Sequence, residues 1–254
     1  MKLEGSVAII TGSSSGVGAA TARLLAGRGA SVVINYASSA DAAARVAEEC
    51  RTLGGDVLVC QADVSDDDAC KKMVDETLAK FGRIDALVNN AGTTKFNAHG
   101  NLAGLSKDDF FRIYGVNVVG PYQMVRACEA ALRASRDGAV VNVSSIAGVR
   151  GVGSSIAYAA SKGALITMTK SLARVLGPEI RVNTVCPGFI AGEWLEQGLG
   201  PETYQRAKSA AEERAPLRRT CTPESVAESI VALIEGHSII TGESIILDGG
   251  ASLV

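Results

Sequence analysis

Aromatic residues make up only 4% of the 254-residue chain. A core made without them has to come from Ala, Val, Ile and Leu, and an apolar content of 47% supplies those. That composition suits a buried parallel sheet flanked by helices. Histidine is almost missing. His99 and His237 both fall in expected loops, with no metal-ligand partner at useful spacing, which excludes a His-based nucleophile system and leaves no metal site. The six cysteines are widely spaced and form no Cys-x-x-Cys pair, so they read as reduced structural residues. A net charge of −2 gives no footprint for a nucleic-acid partner. No apolar run reaches the length of a membrane span, so no membrane partner is expected. Residues 1–5 lead into a strand almost at once and leave no room for a signal peptide, so a cytoplasmic location is expected.

What is present is alternation. Residues 6–10 are apolar and β-branched, a first strand. They enter Thr11-Gly12-Ser13-Ser14-Ser15-Gly16-Val17-Gly18 and then a helix over about 17–28, with Gly29 as its C-cap. Strand, Gly-rich turn and helix together make a glycine motif meaningful. Gly12 permits a tight turn, while Gly16 and Gly18 let backbone approach a pyrophosphate and the sheet. The N–H groups of Ser14, Ser15 and Val17, at a helix N-terminus, favour phosphate charge. The spacing is Gly-x-x-x-Gly-x-Gly rather than the commoner Gly-x-Gly-x-x-Gly. The second strand, 30–36, ends in Asn35-Tyr36-Ala37-Ser38-Ser39. No carboxylate is there to repel a ribose 2′-phosphate, and no Arg or Lys to attract one. Amide and hydroxyl donors at Asn35, Tyr36 and Ser38 favour NADP over NAD.

A helix over 40–53, a third strand over 56–61, a helix over 66–81 and a fourth strand over 84–88 follow. Asp63-Val64 closes the third strand; Asp63 either accepts from an adenine amino group or caps the next helix. Asn89-Asn90-Ala91-Gly92 closes the fourth, as small and amide residues suit a wall beside a cofactor. Residues 93–105 form an irregular loop, and Ser106 with Asp109 starts a helix. Asn117 then sits among Val116, Val118 and Val119, an odd place for an amide, on a helical stretch over 117–134.

Residues 139–143 are the fifth strand. A Gly- and Ser-rich loop and a helix over 157–176 follow. Tyr158 and Lys162, four apart, share one helix face. A phenol is a poor acid–base group at neutral pH. An ammonium at about 4 Å, with an effective dielectric of about 20, attracts the phenolate by about 4 kcal/mol. That would lower the phenol pKa by roughly 3 units. Ser145, at the strand end, would hold a substrate oxygen beside it. The sixth strand, 180–186, runs into Pro187-Gly188-Phe189-Ile190, and residues at about 190–216 read as a mobile lid. Ile146, Val152, Phe189, Trp194 and Leu195 are candidates for an apolar substrate pocket. A helix over 223–235, N-capped by Thr222, and a strand over 244–247 complete the chain. With no repeat or linker, residues 1–254 form one domain, a doubly wound parallel sheet of about seven strands with helices on both faces. Its ligand belongs at the carboxyl ends of the strands.

These motifs together resemble the short-chain dehydrogenase/reductase family over essentially the full length. Its cofactor loop resembles Thr11-Gly12-x-x-x-Gly16-x-Gly18, its strand-four motif Asn89-Asn90-Ala91-Gly92, and its Pro-Gly motif Pro187-Gly188. Its catalytic set resembles Asn117, Ser145, Tyr158 and Lys162. The resemblance implies hydride transfer between NAD(P)H and a carbonyl or secondary alcohol. Tyr158 would be the acid or base, and Lys162 would lower its pKa and hold the nicotinamide ribose. Ser145 would orient the substrate oxygen, and Asn117 would hold a water. Within the family the chain is most similar to the 3-oxoacyl-carrier-protein reductase and glucose dehydrogenase type. This favours an NADPH-dependent ketone or 3-oxoacyl reductase, with an NAD-dependent sugar or alcohol dehydrogenase as alternative and a non-enzymatic nucleotide-binding scaffold further off. The chain departs from many members at Ser15 and Ala37, where a basic residue is common, and at Gly192, where Thr is common. The resemblance also implies a homotetramer. A basic face of Arg126, Arg133, Arg136 and Arg174 would suit an acyl carrier protein.

Overall fold

The computed structural model describes residues 1–254. Its strands are β1 (Val7–Ile10), β2 (Ser31–Tyr36), β3 (Val57–Gln61), β4 (Ala86–Asn89), β5 (Gly138–Val143), β6 (Ile180–Pro187) and β7 (Ser244–Leu247). They form one sheet in the order β3-β2-β1-β4-β5-β6-β7, with every neighbouring pair parallel. The winding reverses between β1 and β4, where an open α/β sheet leaves a crevice at its carboxyl edge.

The helices are α1 (Gly16–Ala26), α2 (Ala40–Thr52), α3 (Asp67–Phe81), α4 (Lys107–Tyr114), α5 (Gly120–Ala134), α6 (Ile146–Arg150), α7 (Ile156–Leu176), α8 (Glu193–Leu199), α9 (Pro201–Arg214) and α10 (Pro223–Glu235). Side-chain alternation along the strands divides the core into two layers. Ala8 and Ile10 face α1, α2 and α10; Ile9 faces α3, α5 and α7. Both layers are aliphatic, as the shortage of aromatics requires, and Tyr204 is the one buried aromatic residue. All six cysteines are unpaired and buried. No helix is long and apolar enough to cross a membrane.

Three local expectations change. Helix α1 stops at Ala26 with Gly27 still right-handed, and the left-handed turn falls at Gly29 (φ 83°). Residues 115–119 form a π-turn before α5, so Asn117 sits in a widened turn rather than an ordinary helix. The stretch after β5 is not all loop: Ser145 N-caps the short α6, accepting from the Ala147 N–H at 3.1 Å. Residues 190–216, read as a lid, hold α8 and α9.

Candidate active site

A cleft of about 1020 Å³ runs along the carboxyl edge of the sheet, from Ser38 and Arg45 at one end to Tyr158 and Trp194 at the other. Gly12, Ser14, Ser15, Gly16 and Val17 form its floor. Gly16 is left-handed (φ 54°) with open space where a Cβ would stand. Ser15 occupies the N-cap of α1 but makes no side-chain cap, and the first turn carries no acidic residue. Its N–H groups are therefore left for an anion. Gly18 does not face the cleft. A Cβ there would lie 2.5 Å from Asn90 Nδ2 and 2.7 Å from the Gly12 carbonyl, so Gly18 is the point where helix and loop close on each other.

Neighbouring side chains fix the loop. Thr11 Oγ1 accepts from the N–H groups of Asn90 and Ala91, each at 3.0 Å. Asn90 Nδ2 donates to the carbonyls of Thr11 and Gly12. Asn35, expected to face the ribose, does the same work: its Oδ1 accepts from Gly12 N–H at 2.9 Å and its Nδ2 donates to Ala62 O at 3.0 Å. Its amide is buried and spent on the loop. Tyr36 packs against the core instead of lining the cleft. Ser38, exposed, keeps a free hydroxyl there. Asp63 does not cap α3, because Asp66 does; Asp63 lines the cleft with Val64 and accepts from Ser65 N–H and Oγ.

Two residues at this end had no signal in the local sequence. Arg23 and Arg45 come from α1 and α2, and both line the cleft beside Ser38. Arg23 is paired with Glu49 at 2.6 Å; Arg45 is exposed and makes no ion pair. The expected absence of a cation near the end of β2 therefore holds only along the chain, not in space.

At the other end the structure brings together Tyr158, Lys162, Ser145 and Asn117. Lys162 is buried and donates from Nζ to Val143 O at 2.8 Å. Its Nζ stands 5.7 Å from the Tyr158 ring centroid. Gly92 lies beside the pair: a Cβ there would stand in ordinary contact, 3.5 Å from both Lys162 Nζ and Asn117 Oδ1. Backbone meets backbone where α6 crosses α7, since a Cβ on Gly148 would lie 2.5 Å from Gly163 N. That contact sets Ser145 beside the phenol.

The phenol is not brought toward neutrality in this geometry. Burial pushes Tyr158 up to about 12, against a pull from the Ser145 hydroxyl. Burial also brings Lys162 down to about 8, with Cys186 acting in the other direction. The ammonium is anchored to a carbonyl and stands off the ring, so desolvation outweighs attraction. Asn117 is fully buried; its Oδ1 accepts from Thr93 N–H at 2.8 Å and its Nδ2 donates to Thr93 O and Ser161 Oγ.

Pro187 and Gly188 lie behind the cleft. Gly188 N–H donates to Leu247 O at 2.7 Å, and a Cβ there would meet Asp248. Ile190 does line the cleft, and it bridges to Cys221. Of the candidate pocket residues, Trp194 and Leu195 line it; Phe189 packs on Tyr204, and Ile146 and Val152 lie outside. The expected basic face is largely spent: Arg126 pairs with Asp67, and Arg133 with Glu129 and Glu179.

The cradle fits a dinucleotide. It offers an uncapped helix start under bare glycine backbone, cations and a hydroxyl at one end, and a phenol with an ammonium at the other. A family model described as enoyl-(acyl carrier protein) reductase matches residues 12–252. A protein named as a ketoacyl reductase of the granaticin polyketide synthase of Streptomyces violaceoruber is 40% identical over 251 residues, covering 99% of this chain and 98% of that protein. The 3-oxoacyl-[acyl-carrier-protein] reductase FabG of Thermotoga maritima is 38% identical over 252 residues, covering 98% and 99%. A crystal structure described as a short-chain dehydrogenase/reductase from Burkholderia xenovorans superimposes with a TM-score of 0.91 at 43% identity, covering 98% of each chain.

Proposed function

The chain belongs to the short-chain dehydrogenase/reductase family and is an NAD(P)-dependent oxidoreductase, and from that premise we propose that it reduces a ketone, of the 3-oxoacyl kind, with NADPH. The observation that carries the reading is the cleft itself, with Tyr158 and Lys162 at one end and the unpaired Arg45 at the other. The names of the two relatives, a ketoacyl and a 3-oxoacyl reductase, support the substrate class.

Gly12, Ser14, Ser15, Gly16 and Val17 would hold the pyrophosphate on backbone N–H groups, with Asp63, Val64, Asn90, Ala91 and Gly92 along the nucleoside. Ser38 and Arg45 would take the 2′-phosphate. The nicotinamide, when bound, would supply the hydride, and with it the electron pair, to the carbonyl carbon. Ser145 donates to the substrate oxygen and holds it against Tyr158. Tyr158 Oη then gives its proton to that oxygen as the carbonyl carbon becomes an alcohol carbon. Being protonated at neutral pH, the phenol needs no lowered pKa to act as the acid in this direction. Lys162 stabilises the phenolate left behind and orients the ribose. Since the amide of Asn117 is spent on Thr93 and Ser161, any water held there falls to its carbonyl, in the π-turn.

Exposed Phe111, Val119, Tyr122 and Val175, on or beside α4, α5 and α7, support self-association as a homotetramer. Only Arg136 and Arg174 of the expected basic face stay unpaired, which leaves little for a carrier protein to grip. Six reduced thiols support a cytoplasmic location. The test is purified protein with acetoacetyl thioester, followed at the absorbance of reduced nicotinamide. Turnover with NADPH well above that with NADH is expected; faster sugar oxidation with NAD would overturn the reading.

A further inference from the structure

Of the chain's few aromatic residues, Tyr158 and Trp194 line the carbonyl end of the cleft, and Phe96 packs behind Trp194. Trp194, its only Trp, is 51% exposed on α8, a helix with no buried residue. It lies outside both layers of the hydrophobic core. Its ring stands 5.6 Å from that of Phe96 and 6.4 Å from that of Tyr158, centroid to centroid. Phe96 reaches over from the loop after β4. Gly198, one helical turn beyond Trp194, gives it room, since a Cβ there would overlap the Phe96 ring at 2.1 Å. Trp194 and Gly198 thus present one face of α8 to Phe96. The helix is bracketed by Gly192 (φ 155°) and Gly200 (φ 78°), both with open space around the Cβ position. The next helix, α9, is held: Tyr204 is buried, packs on Phe189 and accepts from Gly192 N–H at 3.2 Å. Between its two glycines, α8 can turn while α9 stays put.

Resting on the ketone-reductase reading, we propose that Trp194, backed by Phe96, forms a ring-binding wall, and that the carbonyl taken here is borne on or next to a flat ring system. The ring of the substrate takes the place beside Trp194 that Tyr158 now faces, and α8 yields at its glycines to admit it. Flat π-faces gain from such a wall beyond simple burial, whereas a linear acyl chain gains burial only. Trp194 leaves half its surface open in the cleft, and an apolar ring held there suits a ligand.

The test uses enzyme loaded with NADP+, which cannot give a hydride, and reads Trp194 fluorescence. Tetralone should quench it saturably. With NADPH, the ratio of kcat/KM for tetralone over acetoacetyl thioester should fall about tenfold in Trp194→Ala and return in Trp194→Phe. The half-exposed position lets the variants fold, and the quenching is measured on the unaltered protein. An unchanged ratio, or no quenching, overturns the ring wall. Thioester turnover with no response to tetralone leaves the reductase reading standing and removes the wall. Saturable quenching with neither carbonyl reduced leaves the wall standing and removes the reductase reading.

Discussion

At the nucleotide end of the cleft, side chains are committed to backbone. Asn35, Asn90 and Thr11 each bond the Gly12 loop or its neighbours, and Gly18 is packed so tightly that a methyl group would meet atoms at 2.5–2.8 Å. At the carbonyl end, Trp194 stands on a helix with no fully buried residue, between Gly192 and Gly200. One end is preorganised before any ligand arrives, so little entropy remains to be lost on binding. The other can adapt. A cofactor of fixed shape suits the first design, and a substrate that must enter and leave suits the second. Between them, Tyr158 and Lys162 belong to the rigid part, since α7 is anchored along its length and Lys162 is fixed to β5 through Val143.

The sharpest break in this comparison is the removal of one oxygen at the junction. Tyr158→Phe should leave NADPH affinity within a few-fold and lower kcat by about 10²–10⁴. Stopped-flow turnover with parallel equilibrium titration separates the two, and wild-type kcat in the variant would remove Tyr158 from the chemistry. At the rigid end, Gly18→Ala should do the reverse. The added methyl has only backbone and the Asn90 amide to push on, so about 1–3 kcal/mol of overpacking should appear as lower thermal stability and weaker binding of either cofactor. An unshifted melting temperature would mean the loop yields as freely as α8.

A third test uses pH. Lys162 keeps its charge below about 8 in the ligand-free protein and loses it above. The reductive kcat/KM for the cofactor reports groups on the free enzyme. It should stay level from about pH 6 to 8 and then fall by up to about tenfold per unit, while Tyr158, pushed up to about 12, stays protonated throughout. A profile level to pH 10 would show that the ammonium charge is not needed.

The same division explains what could be read from the sequence. The rigid end follows from local rules: Gly spacing, β-branched runs and residues at strand ends placed the fold and most of the loop correctly. The uses of particular side chains were harder. Asn35 looked like a ligand donor because it sits at a strand end, yet its Oδ1 is taken by the Gly12 N–H at 2.9 Å. Asn117 was conspicuous among valines, but the π-turn that holds it depends on contacts with Thr93 and Ser161, far along the chain. The ring pair of Phe96 and Trp194 joins residues 98 positions apart and follows no periodicity. Tyr158 and Lys162 were visible as a pair. Their pKa values were not, because burial outweighs attraction only once the Val143 carbonyl has drawn the ammonium aside.

Cofactor choice is where the sequence showed only part of the rigid end, and it gives the smallest test. The stretch after β2 has no cation, but α1 and α2 carry Arg23 and Arg45 to the same corner. The two are not equivalent. Glu49 answers Arg23 at 2.6 Å, so that pair contributes almost no net field, and its carboxylate would tend to repel a phosphate. Arg45 has no such partner, and the corner is left with one uncompensated positive charge beside the Ser38 hydroxyl. A charge-assisted bond from a guanidinium is worth about 1.5–3 kcal/mol when made, less on an exposed residue in salt. Arg45→Ala should therefore weaken NADPH about tenfold and leave NADH unchanged, whereas Glu49→Gln should favour NADPH further. Equal losses for both cofactors would place Arg45 on the adenine or the pyrophosphate, and the preference for NADPH would then have to rest on Ser38 alone.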